Sequence, residues 1–263
     1  MRAYIEGVGL LGPGLPGWKE SKALLLGQTA YSPERTAIPP SELLPPAERR
    51  RAGTTVKLAL ATGAEAFSAS GQDAERTPTV FTSSSAETEI LHQTCEALAT
   101  PAREISPTRF MNSVHNAPAG YWSIATRSRE ASTSLCAFDA SFVAGLLESA
   151  VQVAVDESPV ALIAYDEPYP EPLHAARPLG CEFAVALVFS PHRTPRSLVA
   201  IDVDLVSREE TVLADPALEA IRVGNPAARS LPLLKLLAEG AAGEVVFRYV
   251  AGQGLRARVT PCR

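Results

Sequence analysis

Apolar side chains return along this chain at two spacings, and the places where one gives way to the other divide it into elements. Over residues 54–69, Val56, Ala59, Leu60, Ala64 and Phe67 recur at helical spacing while Lys57 and Glu65 fall on other faces, which predicts an amphipathic helix. Ile90, Leu91, Cys95 and Leu98 repeat the pattern and predict a second helix that stops before Pro101. Over residues 142–155 the pattern differs: Phe142, Val143, Leu146, Leu147, Val151 and Val153, with alanines between them, leave little of the circumference polar. Such a helix must be buried nearly all round. At about 1.5–3 kcal/mol for each large side chain, leaving it exposed would cost more than the roughly 5–15 kcal/mol by which a domain is stable. It is expected to be the centre of the fold.

Extended segments fall between these helices. Residues 3–11 read as an apolar strand closed by the turn cluster Gly12, Pro13 and Gly14, and residues 80–83 as a short strand running into three serines. The unbroken apolar runs 160–165 and 183–189 predict strands buried on both faces. In residues 198–206, Ile201, Val203 and Leu205 alternate with Asp202 and Asp204, the signature of a half-buried strand. A short helix over 231–238 closes at Gly240, and residues 245–250 and 255–259 flank Ala251-Gly252-Gln253-Gly254 as a hairpin. Beyond the first turn the chain reads as irregular, and Pro33, Pro39, Pro40, Pro45 and Pro46 predict a long surface loop. Strands alternating with helices give an α/β fold: a mixed, mostly parallel sheet packed between helices, with the C-terminal hairpin adding antiparallel strands at an edge.

Composition narrows the function. The 263 residues are 46 % hydrophobic and 20 % charged, which excludes disorder and fibrous classes and allows a single large domain. A net charge of -5 argues against nucleic acid as a partner. The basic run Arg49, Arg50 and Arg51 reads as a solvated helix start. The longest apolar run, residues 183–189, falls far short of the ~20 residues a membrane span needs. Glu6 and the nearby glycines interrupt any secretion signal, so a cytoplasmic protein without a membrane span is expected. Cys95, Cys136, Cys181 and Cys262, like His92, His115, His174 and His192, are scattered without ligand spacing, so neither a metal nor another cofactor is expected and the thiols should be reduced.

The chemistry-bearing stretch is residues 106–150, SPTRFMNSVHNAPAGYWSIATRSREASTSLCAFDASFVAGLLESA. Ser106-Pro107, Asn116, Ala119-Gly120, Ile124 and the helix running through Ala150 resemble, in register, the N-terminal half of β-ketoacyl synthases: Ser-Pro, Asn-x-Ala-Ala-Gly, then strand, nucleophile and buried helix. The opening RAYIEGVGLLGP, the segment LLLGQT and the run CEFAVALVF resemble further landmarks of that family. The resemblance covers residues 1–206, with 207–263 as a shortened C-terminal extension. It implies a truncated thiolase-like fold.

In active members of that family a cysteine opens the buried helix, where the positive end of the helix dipole favours its thiolate. The register places Asp139, or Ala140 if it slips by one, at that position, and neither is a thiol. Cys136 lies earlier, on the expected strand, and no His-Gly pair of the kind the family's second half supplies follows residue 192. The resemblance therefore implies a subunit without catalytic residues of its own, similar to the chain length factors of type II polyketide and aryl polyene systems. Such a subunit pairs with a full-length β-ketoacyl synthase as a heterodimer and meets an acyl carrier protein indirectly. By the same resemblance Ser132, Thr133, Ser134, Leu135 and Cys136 form the strand that pairs across the dimer. Phe110, Met111, Asn112, Ser113 and Val114 face the partner's acyl tunnel, Phe110 and Met111 as gates, and His115 and Asn116 fix the local backbone. Two alternatives stand beside it: an acyl hydrolase or acyltransferase built on Ser141, His115 and Asp139, with Asp139 or Ser141 more simply a helix cap, and a self-associating acyl-binding protein.

Overall fold

The computed structural model of the chain describes residues 1–262. The strands are β1 (Arg2–Leu11), β2 (Thr79–Thr82), β3 (Ser132–Leu135), β4 (Val160–Asp166), β5 (Phe183–Ser190), β6 (Val199–Val206), β7 (Gly243–Val250) and β8 (Gln253–Pro261). The helices are α1 (Trp18–Leu25), α2 (Pro46–Arg51), α3 (Thr54–Ser70), α4 (Thr88–Ala99), α5 (Pro107–Asn112), α6 (Ala117–Thr126), α7 (Ser141–Asp156), α8 (Leu173–Ala176), α9 (Pro216–Gly224) and α10 (Leu231–Glu239). Single 3-10 turns precede α7, at Phe138–Ala140, and α10, at Ala227–Ser230.

All eight strands form one sheet in the order β3-β2-β4-β5-β1-β6-β8-β7. The sheet is mixed, as the alternation of elements predicts, but the expected parallel majority is not found. Only β2 pairs in parallel, with β3 and with β4, and the other five pairings are antiparallel. A parallel return needs a crossover of roughly a dozen residues or more, usually helical. Between β4 and β5 the connection carries only the four-residue α8, so β5 runs back along β4.

Two apolar layers cover the sheet. On one face Phe81 of β2 and Tyr165 of β4 pack with Phe67 of α3 and Trp122 of α6. Here α3 sits directly on the backbone of β1, because a side chain at Gly7 or Gly9 would collide with the carbonyl oxygens of Ala66 and Thr62. Its Glu65 carboxylate accepts the Leu10 N–H at 2.9 Å and the Trp18 N–H at 2.6 Å, tying the end of β1 and the start of α1 to one helix. This contact explains why α1 forms in a stretch expected to be irregular: its first N–H is satisfied from a helix far along the chain.

On the other face α7 is the central element, with Phe142, Val143, Leu146 and Val153 fully buried. By length and composition the stretch Phe138–Asp156 is apolar enough to cross a bilayer. A search for an unbroken apolar run passes over it, because Asp139, Ser141, Glu148 and Ser149 divide the run. Here its apolar side packs on β2 and β4, and the C-terminal strands curl over it so that Phe142 meets Phe247 edge-on at 5.6 Å between ring centroids. Replacing Phe142 by alanine should therefore cost about 3–5 kcal/mol of folding stability, read as a lower midpoint in urea titration with an unchanged slope.

Candidate functional site

The three parallel strands β3, β2 and β4 end side by side, and the chain leaves each through a turn that carries polar or strained residues. In open α/β sheets such carboxyl ends are where functional groups collect. The turn after β2 is Ser83-Ser84-Ser85-Ala86, with Ala86 in the left-handed region at φ 60. Ser83 Oγ accepts the N–H groups of Ser85 and Ala86 at 3.3 and 3.0 Å. At the end of β4 the buried Asp166 carboxylate accepts from Ser84 N–H and Ser84 Oγ, both at 2.7 Å, from Ser83 Oγ at 3.2 Å and from the Ala227 N–H at 3.1 Å.

Two further carboxylates lie buried beside it. Glu87 accepts from Thr54 N–H, Thr55 N–H and Thr55 Oγ1 at the start of α3, and Glu167 from Thr88 N–H and Thr88 Oγ1 at the start of α4. Negative charge is favoured at a helix start, but burial opposes it. Burial pushes the Asp166 carboxyl up to about 6 against the pull of its hydrogen bonds. Burial, together with the neighbouring charge of Glu87, pushes Glu167 up to about 8.

The turn from β3 into α7 is the strained one. Phe138, not a glycine, has φ 53. Its position is fixed by Ser141, whose Oγ accepts the Ala137 N–H at 3.1 Å and donates to the Phe138 carbonyl at 2.7 Å. The Phe138 ring is 62 % exposed, and the Arg177 guanidinium, reaching over from the β4–β5 connection, stacks 3.4 Å from its centroid. Arg177 also donates to Asp139 at 3.1 Å. Asp139 and Ala140, placed at this junction by the sequence register, follow it in the 3-10 turn, and the residue at the strained position is Phe138. Nothing in a phenylalanine codon reveals a positive φ, so register alone misses it.

The other residues singled out from sequence divide by orientation. Phe110 and Met111, each 61 % exposed, and Val114 project outward, while Asn112 is buried, donating to the Arg51 carbonyl at 2.9 Å and accepting from the Tyr121 hydroxyl at 3.1 Å. Ser113 bonds its hydroxyl to the Phe110 carbonyl, closing α5. His115 Nε2 lies 3.0 Å from the Ser83 carbonyl, which can only accept, so Nε2 carries the proton. Asn116 begins α6 without a side-chain bond. The Cys136 thiol donates to the Ser84 carbonyl at 3.4 Å. Ser141, His115 and Asp139 do not form a relay: the serine is spent on its own turn, the histidine on Ser83 and the aspartate on Arg177. Nor is either residue a side-chain cap of α7, whose N-cap position is Ala140. Among the described residues no group of three or more His, Cys, Asp or Glu is placed to hold a metal ion. Sequence reasoning overlooked Asp166, Glu167 and Arg177; the acidic pair closing the apolar run of β4 was the available signal.

β3 is an edge strand with one neighbour, β2. The bonds from Thr79 N–H to the Ala131 carbonyl and from Ser83 N–H to the Leu135 carbonyl turn the backbone groups of alternate residues toward β2, leaving those of Ser132 and Ser134 facing outward. The opposite edge, β7, is met at one residue: Thr211 N–H donates to the Val246 carbonyl at 2.8 Å, and Val246 N–H to Thr211 Oγ1 at 2.9 Å. The strap that carries Thr211 is held by buried Arg222, which bonds Glu210 and Glu219.

A sequence profile of the β-ketoacyl synthase N-terminal domain matches residues 19–238. No curated protein matches the sequence. Among solved structures, a ketosynthase in complex with its chain length factor from Xenorhabdus doucetiae superposes with a TM-score of 0.75 at 22 % identity, covering 98 % of this chain and 99 % of that chain. The ishigamide ketosynthase/chain length factor gives 0.76 at 14 % identity, covering 99 % of each. A β-ketoacyl synthase from Burkholderia phymatum STM815 gives 0.68 at 12 % identity, covering 100 % of each. At these identities the likeness is one of fold, and that fold is thiolase-like.

The buried acids make a pH dependence measurable. Asp166 and Glu167 hold protons in the folded chain up to about pH 6 and about pH 8, above their values in an unfolded chain. Their contribution is therefore complete in acid and lost as pH rises through those values. The melting temperature should fall between pH 5.5 and pH 8.5, and Glu167→Gln should flatten the upper part of that fall.

Proposed function

The chain belongs to the β-ketoacyl synthase N-terminal domain family, and from that membership we propose that it is a non-catalytic, chain-length-factor-like subunit. It pairs with a full-length β-ketoacyl synthase in polyketide, aryl polyene or fatty-acid-type chain elongation, and shapes or stabilises the partner's acyl tunnel. A soluble, cytoplasmic heterodimer is the setting this reading implies, with an acyl carrier protein delivering substrate to the partner.

The observation that carries the proposal is the side chain at the mouth of α7. In the enzymes of this family that place presents a thiolate, because the helix start and the strained turn together expose and activate it. Here it presents the phenyl ring of Phe138. Cys136, two residues earlier, lies before the helix start with its S–H directed at the Ser84 carbonyl. A ring has no electron pair with which to attack a thioester, so bond formation falls to another polypeptide.

The open edge of β3 supports the choice of partner. An unpaired edge is a liability that folded proteins cover, as the strap does at Val246 of β7. Ser132 and Ser134 offer their backbone donors and acceptors to a strand from outside, and Phe110, Met111 and Val114 add exposed apolar surface. A second copy of this chain could meet the same edge, which makes self-association the competing reading.

Co-expression with a full-length ketosynthase distinguishes the two. The expected result is a one-to-one complex on size exclusion, with an acyl-thioester probe modifying the ketosynthase alone. An acylated side chain on this chain, or a monomer or homodimer indifferent to any ketosynthase, would overturn the proposal. Within the complex, Phe110→Ala combined with Met111→Ala should shift products toward longer acyl chains, measured by mass spectrometry of the carrier-bound intermediates.

A further inference from the structure

Phe138 occupies its place at a cost. A bulky residue in the left-handed region is strained by about 1–3 kcal/mol, and glycine or asparagine would sit there with less. The ring gains little from burial, being 62 % exposed. Arg177 accounts for its order: the guanidinium covers one ring face at 3.4 Å, and the same group bonds Asp139 on the next residue. The Arg177 side chain is itself 19 % exposed, and its Nε is buried without a hydrogen-bond partner. Its placement therefore follows the ring and the neighbouring carboxylate rather than the greatest number of bonds. Phe138 follows the carboxyl end of β3 by three residues, and β3 is an edge strand of the sheet.

Resting on the heterodimer reading above, we infer that Arg177 is a positioning residue that clamps the Phe138 ring as a preformed anchor for the ketosynthase partner, seated beside the β3 edge. Anchors of interfaces are rigid aromatic and arginine side chains that enter a desolvated pocket, and their rigidity removes an ordering cost at association. A guanidinium stacked on the inner face holds the ring against rotation, and excluding water strengthens that stack. The chemistry expected of the partner is an apolar pocket that takes the outer face of the ring next to a strand able to extend the sheet.

A double-mutant cycle on the assembled heterodimer tests the inference, using Arg177→Ala, Phe138→Ala and both together, with Kd measured against the ketosynthase and the melting temperature of each isolated variant recorded. Each single change should weaken the complex by about tenfold or more, and the double variant should bind no more weakly than Phe138→Ala alone, since the arginine acts through the ring. Arg177→Lys, which keeps a cation within reach of the ring and of Asp139, should recover part of the loss. Wild-type affinity in Arg177→Ala or Phe138→Ala, or losses that simply add, would overturn the anchor while leaving the heterodimer intact. Failure of the unaltered chain to bind any ketosynthase would remove the reading of function and the anchor with it.

Discussion

The carboxylate of Asp166 joins three distant parts of the chain at one buried point: the turn after β2, the end of β4 and the 3-10 turn that starts at Ala227. A carboxylate withdrawn from water is costly unless its lone pairs are filled. Here Ser83, Ser84 and the Ala227 N–H fill them. The consequence spreads outward through the same serines. Because Ser83 and Ser84 are held from one side, their carbonyls face the other, where they receive His115 and the Cys136 thiol. The ends of β2, β3 and β4 are thereby locked in one arrangement, and the strained turn rests on it.

The same constraint makes residues beyond β6 part of the fold. Ala227 opens the segment that leads into α10 and the terminal hairpin, and that hairpin closes over α7 through Phe247. The near all-round burial expected of α7 is met only in part: the sheet and Phe247 bury Phe142, Val143, Leu146 and Val153, while Val151 and Val155 at its far end stay exposed.

What the sequence made legible follows from what is local. Helical periodicity located α3, α4 and α7, and apolar runs located β4 and β5, because burial imposes those patterns on neighbouring residues. Strand direction was not legible, since a strand buried on both faces reads alike in either sense; only the lack of a long helical pattern between β4 and β5 hinted at the reversal. α1 was missed because its N-terminal partner, Glu65, lies 47 residues away. α9 was missed although Asp215 followed by Pro216 is a local start signal, with Asp215 accepting the N–H groups of Ala217 and Leu218. In the site, the register pointed to Asp139 or Ala140, whereas the strained position at the β3–α7 junction is Phe138, set by a backbone angle that no side chain announces.

The two edges of the sheet show where this fold invests in closure. At β7 the chain spends a strap, a buried arginine and two glutamates to hold Thr211 against the backbone of Val246. At β3 it spends nothing of the kind, and the chain leaves that strand through a turn whose strained, clamped aromatic ring is exposed. An edge left open by neglect would be short of such features, because each lowers the solubility or stability of a lone chain. Strain and exposure together persist where something else is gained from them. The open groups of Ser132 and Ser134 are therefore the part of the fold on which the proposed pairing with a second polypeptide rests.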